Sequence, residues 1–279
     1  MRRFAERGPL DAGGGPSADA GTSPLARQPT REERLQARLY RLFDADAEPI
    51  VAFLRWLAHA RSLPLRPRLL DVGCGTGRLL VPLARRGWQV TGMEPHPGFL
   101  ELARREVRHV EAASVQAGGF AEIAAPRSQD MVVAVNGPFA YLRTRAEQRD
   151  ALRRIHRVLR PGGVLFLEVA DLPRLVRERS ATGHRERRGR GPQAIVRTTC
   201  ARVGGRARHL VLEDCYERSG RPVAHQRHEL RILRARDLTR LLTRAGFSEL
   251  ELHHDYASRS DDATHGSHIL VSAVRSRSI

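Results

Sequence analysis

Lysine is absent from this 279-residue chain, so all 48 of its basic residues are arginines. Cysteine is scarce as well. Cys74, Cys200 and Cys215 are too few and too scattered for a disulfide framework, and no Cys/His spacing suits zinc. Neither a secreted disulfide scaffold nor a metal module is expected, and a reducing cytoplasm is. No run of about 18 uninterrupted apolar residues exists to span a bilayer. Aromatic residues are only 5% of the chain and do not interleave with a basic stripe, as a base-stacking surface would require. Residues 1–30 start with basic residues but have no apolar core, so they do not read as a secretory signal; their Gly, Pro, Ser and Ala content predicts a disordered leader.

Charge is not scarce. Against 31 acidic residues, the arginines leave a formal net charge of +17. Such an excess marks either a grip on an acidic partner such as nucleic acid, or solvated surface arginine from a GC-rich coding bias. The arginines run along the whole chain instead of gathering in one stripe, which favours the second reading.

A hydrophobic fraction of 41% and this length suit one folded domain over residues 31–279. From Arg31, leucines recur at helical spacing, and "DADAEP" divides the stretch into two helices. Apolar runs at 68–72, "WQVTGMEP", "HVEAASVQAG", "DMVVAVNG" and "VLFLEV" then alternate with amphipathic segments. That order predicts an α/β fold with a doubly wound, mostly parallel seven-stranded sheet. After Asp171 a basic loop leads into "AIVRTTCARV", "RHLVLEDCYER" and "RPVAHQRHELRIL", a three-stranded antiparallel insertion over 193–233 that would form a lid. A helix through "RARDLTRLLTRAGF" and strands "SELELHHDY" and "SHILVSAV" close the chain.

The stretch "LLDVGCGTGRL" places Gly73, Gly75 and Gly77 directly behind the first strand. A dinucleotide fingerprint needs its third glycine at position 78, which is Arg78, and no Lys-Ser/Thr pair follows for a triphosphate. Glu94 ends the next strand, where a carboxylate accepts two hydroxyl hydrogen bonds from a ribose diol. With no phosphate cradle, the ligand is a nucleoside whose tail is uncharged or cationic, and Asp71 favours a cation. S-adenosylmethionine fits that description.

In this order and at these intervals, "LLDVGCGTGRL", "GMEP", "NGPFAYL" and "RVLRPGGVLFLEV" resemble the class I S-adenosylmethionine-dependent methyltransferases, with their Rossmann-like fold. The resemblance implies that Gly73, Gly75 and Gly77 admit the methionine and ribose parts of the cofactor. It places Asp71 beneath the amino end, Glu94 on the ribose and Asn136 beside the transferring methyl. The family usually carries Asp after the third strand, reading the adenine amino group; here Gly119 stands there, leaving Phe120 as a stacking wall.

"LYRLFDADAEPIVAFL" is similar to the first helices of small-molecule members in which a Tyr folds over the cofactor, which gives Tyr40 that place. The insertion is similar to the substrate-covering part of amino-sugar N-methyltransferases. In those relatives the residue before the Leu of "FAYL" faces the acceptor; here it is Tyr141. His225 and His228 lie on opposite faces of one strand, and His228 shares its face with Leu230 and Ile232, so it looks inward as a second catalytic candidate. His253, His254 and Asp255 imitate a set of metal ligands, but adjacent residues on a strand diverge, so a surface role is expected for them. Few acid or base residues are evident, which leans toward nitrogen over oxygen as the acceptor of a small-molecule substrate, in a monomer or homodimer. An RNA or protein methyltransferase, and a non-catalytic module on the same fold, stand as the competing readings.

Overall fold

The computed structural model describes residues 27–124, 126–170, 183–203, 209–253, 256 and 268–276. Residues 1–26 of the leader, the hairpin turn at "GGR", His254 and Asp255 lie outside the described residues. Thr30 caps the first helix, α1 (Arg31–Leu42): its hydroxyl accepts from Glu33 N while its own amide donates to the Glu33 carboxylate. This reciprocal box satisfies two of the amide donors left open at a helix start. After the break at residues 43–47, α2 (Glu48–Ala60) begins with Pro49 in its first turn and buries Ile50, Phe53, Leu54 and Leu57.

The alternation then builds the main sheet. Its parallel strands are β1 (Arg68–Val72), β2 (Gln89–Glu94), β3 (Ala113–Ala117), β4 (Gln129–Ala134) and β5 (Leu159–Ala170). Between them run α3 (Leu80–Ala84), α4 (Pro97–Val107) and α5 (Arg145–Val158). Pro161–Gly163 falls within β5: Gln129 pairs with Leu159 and Met131 with Val164, so the extra residues bulge from the ladder.

A second sheet follows. The predicted strands form as β7 (Ile195–Val203), β8 (His209–Arg218) and β9 (Arg221–Arg231), all antiparallel, with Ser219 and Gly220 both at positive φ in the turn. A fourth strand, β6 (His184–Arg188), pairs with β7 and corrects the three-strand expectation for 193–233. Its sequence, HRERR, has no apolar alternation; pairing with a neighbouring edge makes it a strand. The helix α6 (Ala235–Arg244) and the antiparallel strands β10 (Phe247–His253) and β11 (His268–Arg275) complete the main sheet, in the order β10-β11-β5-β4-β1-β2-β3.

Both faces of that sheet are covered, one by the cluster that includes Leu54, Leu80 and Met131, the other by Leu152, Leu165 and Leu238. β4 is accordingly a near-continuous apolar run. Strand order reverses between β1 and β4, the point at which such sheets open a ligand crevice beyond the strands' carboxyl ends. The four-stranded sheet is seated over that crevice by two small clusters. Ala140, Ala201, Leu210 and Leu230 join it to the turn after β4, and Leu39, Phe43, Ile195 and Tyr216 join it to α1. Burying each of these larger side chains stabilises the roof by about 1.5–3 kcal/mol.

Candidate active site

β1 ends at Val72 and the chain turns through Gly73 at φ +77° and Gly75 at φ +58°, conformations that L side chains rarely adopt. The amides of Gly73 and Cys74 donate to Met93 O at 2.8 and 3.1 Å, which binds the turn to the end of β2. A Cβ on Gly73 would lie 2.6 Å from Pro138 Cβ, whereas one on Gly75 would meet nothing within 4 Å. The open backbone at the reversal point is therefore that of Gly75.

Glu94 stands beside it, 5% exposed. Its Oε2 accepts from Gly75 N at 2.9 Å and its Oε1 from His96 N at 2.8 Å, so two backbone amides hold the carboxylate with its remaining lone pairs toward the cleft. Burial pushes Glu94 up to about 7, and the two amides only partly oppose it. Asp71, also buried, is pushed up to about 7 by desolvation, against the nearby charge of Arg78 and with that of Glu94.

The cleft encloses about 480 Å³. On its α1 side stands Tyr40, whose hydroxyl accepts from Asn136 Nδ2 and whose ring meets Phe99 edge-on at 5.1 Å. Burial raises Tyr40 to about 12, so it is a neutral phenol. Asn136 follows β4 at φ +65°, held there by its amide, which donates to Glu168 Oε2 at 2.6 Å. Phe120, buried and set edge-on to Phe139 at 5.7 Å, forms the opposite wall.

Residues 69–163 match the family model of a methyltransferase domain. The putative methyltransferase YqeM of Bacillus subtilis (strain 168) is 30% identical over 122 residues, 43% of this chain and 49% of its own. The ubiquinone biosynthesis O-methyltransferase of Methylobacterium sp. (strain 4-46) is 32% identical over 170 residues, 54% of this chain and 65% of its own. This chain thus spans about half to two thirds of the length of these curated relatives. Among solved structures, S-adenosylmethionine-bound CalS10, an amino pentose methyltransferase from Micromonospora echinaspora involved in calicheamicin biosynthesis, superposes with a TM-score of 0.67 at 25% identity, covering 87% of this chain and 97% of that one. Residues 69–163 of this chain thus form a methyltransferase domain, and the chain has the fold of S-adenosylmethionine-dependent methyltransferases.

The methyltransferase domain gathers most of the residues expected from sequence around one cleft: Tyr40, Asp71, Gly73, Gly75, Glu94, Gly119, Phe120, Asn136, Tyr141 and His228 all line it. Gly77 does not. A Cβ there would fall 3.2 Å from Ala103 Cα on α4, so this glycine permits helix packing and not ligand approach. His253, expected near the surface, is packed against Phe53 at 5.0 Å between ring centroids, with its Nε2 2.9 Å from Ser272 Oγ. Among the described residues no cluster of three His, Cys, Asp or Glu forms a metal site, and no helix is long and apolar enough to cross a membrane.

Several lining residues escape sequence reasoning. Glu122 enters the cleft three residues after Gly119 and accepts from its amide at 2.7 Å, so a carboxylate occupies the region where the usual acidic residue is missing. Asp44, in the break between α1 and α2, accepts from Thr76 Oγ1 at 2.9 Å and pins the first helices to the glycine turn. Arg78 and His96 complete the polar lining. The spacing of Glu122 from Gly119 was visible in the sequence; the Asp44–Thr76 contact, 32 residues apart, was not.

At the far end, Tyr141 closes a short 3-10 turn (Pro138–Tyr141), and its hydroxyl lies 2.8 Å from His228 Nδ1 on β9. Its ring is exposed along the cleft wall, but crowding around the hydroxyl raises Tyr141 further above the usual phenol range. Burial lowers His228, opposed by the charge of Asp214. The imidazole is therefore neutral near pH 7 and able to accept a proton.

Proposed function

We propose that this protein transfers the methyl group of S-adenosylmethionine to a nitrogen of a small-molecule acceptor in the cytoplasm. The observation that carries the reading is the pairing of the open Gly75 backbone with a buried, amide-held Glu94 carboxylate at the reversal point of the sheet. That donor set fits the cofactor: a bare backbone for close approach, a fixed acceptor pair for the ribose hydroxyls, and an acidic floor at Asp71 for a cationic tail. Phe120 offers an apolar face to the adenine and Glu122 a carboxylate for its amino group. Tyr40 covers the cofactor from α1, and Asn136 stands beside the methyl.

When bound, S-adenosylmethionine supplies a methyl group on a sulfonium, an electrophile with a good leaving group. The protein then has chiefly to align the acceptor and exclude water. The second sheet and α1 form the roof that does so, and the phenol of Tyr141 faces the acceptor end. The name of CalS10, an amino pentose methyltransferase, is compatible with a nitrogen target, and the similarity to an O-methyltransferase keeps oxygen as the second reading. RNA is the weaker candidate, because many of the arginines are engaged by neighbouring carboxylates, as in Arg34–Glu101, Arg61–Glu251 and Arg154–Asp150.

Titration calorimetry with S-adenosylmethionine, followed by label transfer from it to panels of amines, phenols and total RNA, tests the proposal. Saturable binding with transfer to amines is expected. Absence of cofactor binding refutes it, and transfer confined to RNA with a steep salt dependence replaces it.

A further inference from the structure

Two residues of the cleft, Tyr141 and His228, also line a second hollow on the outside of the protein, shared with Arg143, Arg227 and Glu229. They form the wall between the acceptor end of the cleft and the solvent. Behind His228 lies Asp214 of β8, a buried carboxylate whose Oδ2 is 3.9 Å from His228 Nε2. Its other oxygen accepts from Thr199 on β7, which fixes its orientation. Tyr141, His228, Asp214 and Thr199 thus run in one line from the cleft into the second sheet.

We propose that Tyr141 and His228 form a proton exit from the acceptor end of the cleft, with Asp214 the positioning residue that sets the tautomer of His228. The proposal rests on the methyltransferase reading above.

A carboxylate accepts and never donates, so it favours the proton on the imidazole nitrogen that faces it, Nε2. At 3.9 Å Asp214 acts through its field and not through a direct hydrogen bond. Nδ1 then carries the lone pair, and the Tyr141 hydroxyl donates to it across 2.8 Å. With its hydrogen engaged, the phenol oxygen turns its own lone pairs to the cleft, where they accept from an N–H or O–H of the substrate.

An acceptor that gains a methyl cation equivalent must lose one proton to regain its charge. The acceptor X–H bond breaks as its proton passes to the Tyr141 oxygen, the Tyr141 O–H proton passes to His228 Nδ1, and the phenol ends neutral. The imidazolium so formed faces Asp214 and releases its proton into the outer hollow. There the nearest charges, Arg143 and Arg227, are both paired with Glu229, at 3.1 and 2.8 Å. The other titratable groups that act on His228 are His225 on its own strand and His96 across the cleft, both of which oppose its protonation.

The test uses the full chain labelled with 15N-histidine, with His228 assigned by loss of its signals in His228→Gln. Long-range proton–nitrogen spectra are expected to show the Nε2–H tautomer above the titration midpoint. In Asp214→Asn the midpoint should fall by about one pH unit, since an opposite charge at this range favours the charged form. The Nδ1–H tautomer of His228 in wild-type protein overturns the relay. So does an unmoved midpoint in an Asp214→Asn protein that melts like wild type. Calorimetry with S-adenosylmethionine on the same samples separates the two readings: wild-type cofactor binding with the wrong tautomer removes only the relay, whereas no cofactor binding removes the methyltransferase reading itself.

Discussion

Replacing Glu94 by Gln is the sharpest perturbation of the cofactor cleft. The native carboxylate accepts from Gly75 N and His96 N, and the ribose hydroxyls would be its third and fourth donors. Gln keeps the size, loses the charge and turns an NH2 toward one of those donors. A hydrogen bond to a charged group contributes about 1.5–3 kcal/mol. Losing one such interaction to the cofactor weakens the dissociation constant about 10- to 150-fold. The pH dependence supplies a second signature. Burial raises Glu94 and Asp71 from the usual carboxylate range to about 7, so the folded protein without cofactor holds protons there that the unfolded chain has already lost. That increment is fully present only below the ordinary carboxylate values of about 4, and is lost progressively as pH rises to about 7. Cofactor binding requires the ionised form, so affinity should climb from pH 6 to 8 and protons should be released near pH 7. Titration calorimetry of wild type and variant in two buffers of different ionisation enthalpy measures both effects, with thermal melting as the control for folding. Equal affinity in Glu94→Gln together with a flat pH profile would refute the ribose assignment.

Other substitutions separate roles that lie close together. Gly73→Ala forces a Cβ to 2.6 Å from Pro138 at φ +77°, so it should cost about 1–3 kcal/mol of stability, read by denaturant unfolding. Gly75→Ala has open space and only its φ of +58° against it; about 1–2 kcal/mol of stability should go, with a clear loss of S-adenosylmethionine affinity in calorimetry. Glu168 accepts from Asn136 N and from the Tyr256 hydroxyl, so Glu168→Gln should destabilise by about 1–3 kcal/mol and release Asn136 from its turn, measured by chemical denaturation and cofactor titration together. Thr144→Ala removes the capping box of α5 without touching the glycine turn or Glu94, and should lower the melting temperature by about 2–4 °C for the loss of about 1 kcal/mol while leaving cofactor affinity unchanged.

The readable part of the site is the part built over short range. β1, the turn after it and Glu94 lie within 27 residues, and their spacing alone restricts what ligand they accept. The glycines were visible, yet their separate duties were not. Gly73 faces Pro138 and Gly77 faces Ala103, each a contact made across the fold, which leaves Gly75 as the open position. His228 was readable as inward-facing from strand alternation. Its alignment with Tyr141 and Asp214 required the register of β8 against β9 and the seating of that sheet over the turn after β4.

The order of apolar and polar residues determined the α/β alternation, the sheet's class and the place of the nucleoside cleft, because helix and strand periodicities and turn chemistry are local properties of the chain. Tertiary structure alone decided that HRERR becomes a strand, that Asp44 meets Thr76 of the glycine turn, and that a tyrosine and a histidine 87 residues apart meet at the wall of the cleft. Those outcomes depend on pairing and packing between distant segments, whose energies no window of sequence contains.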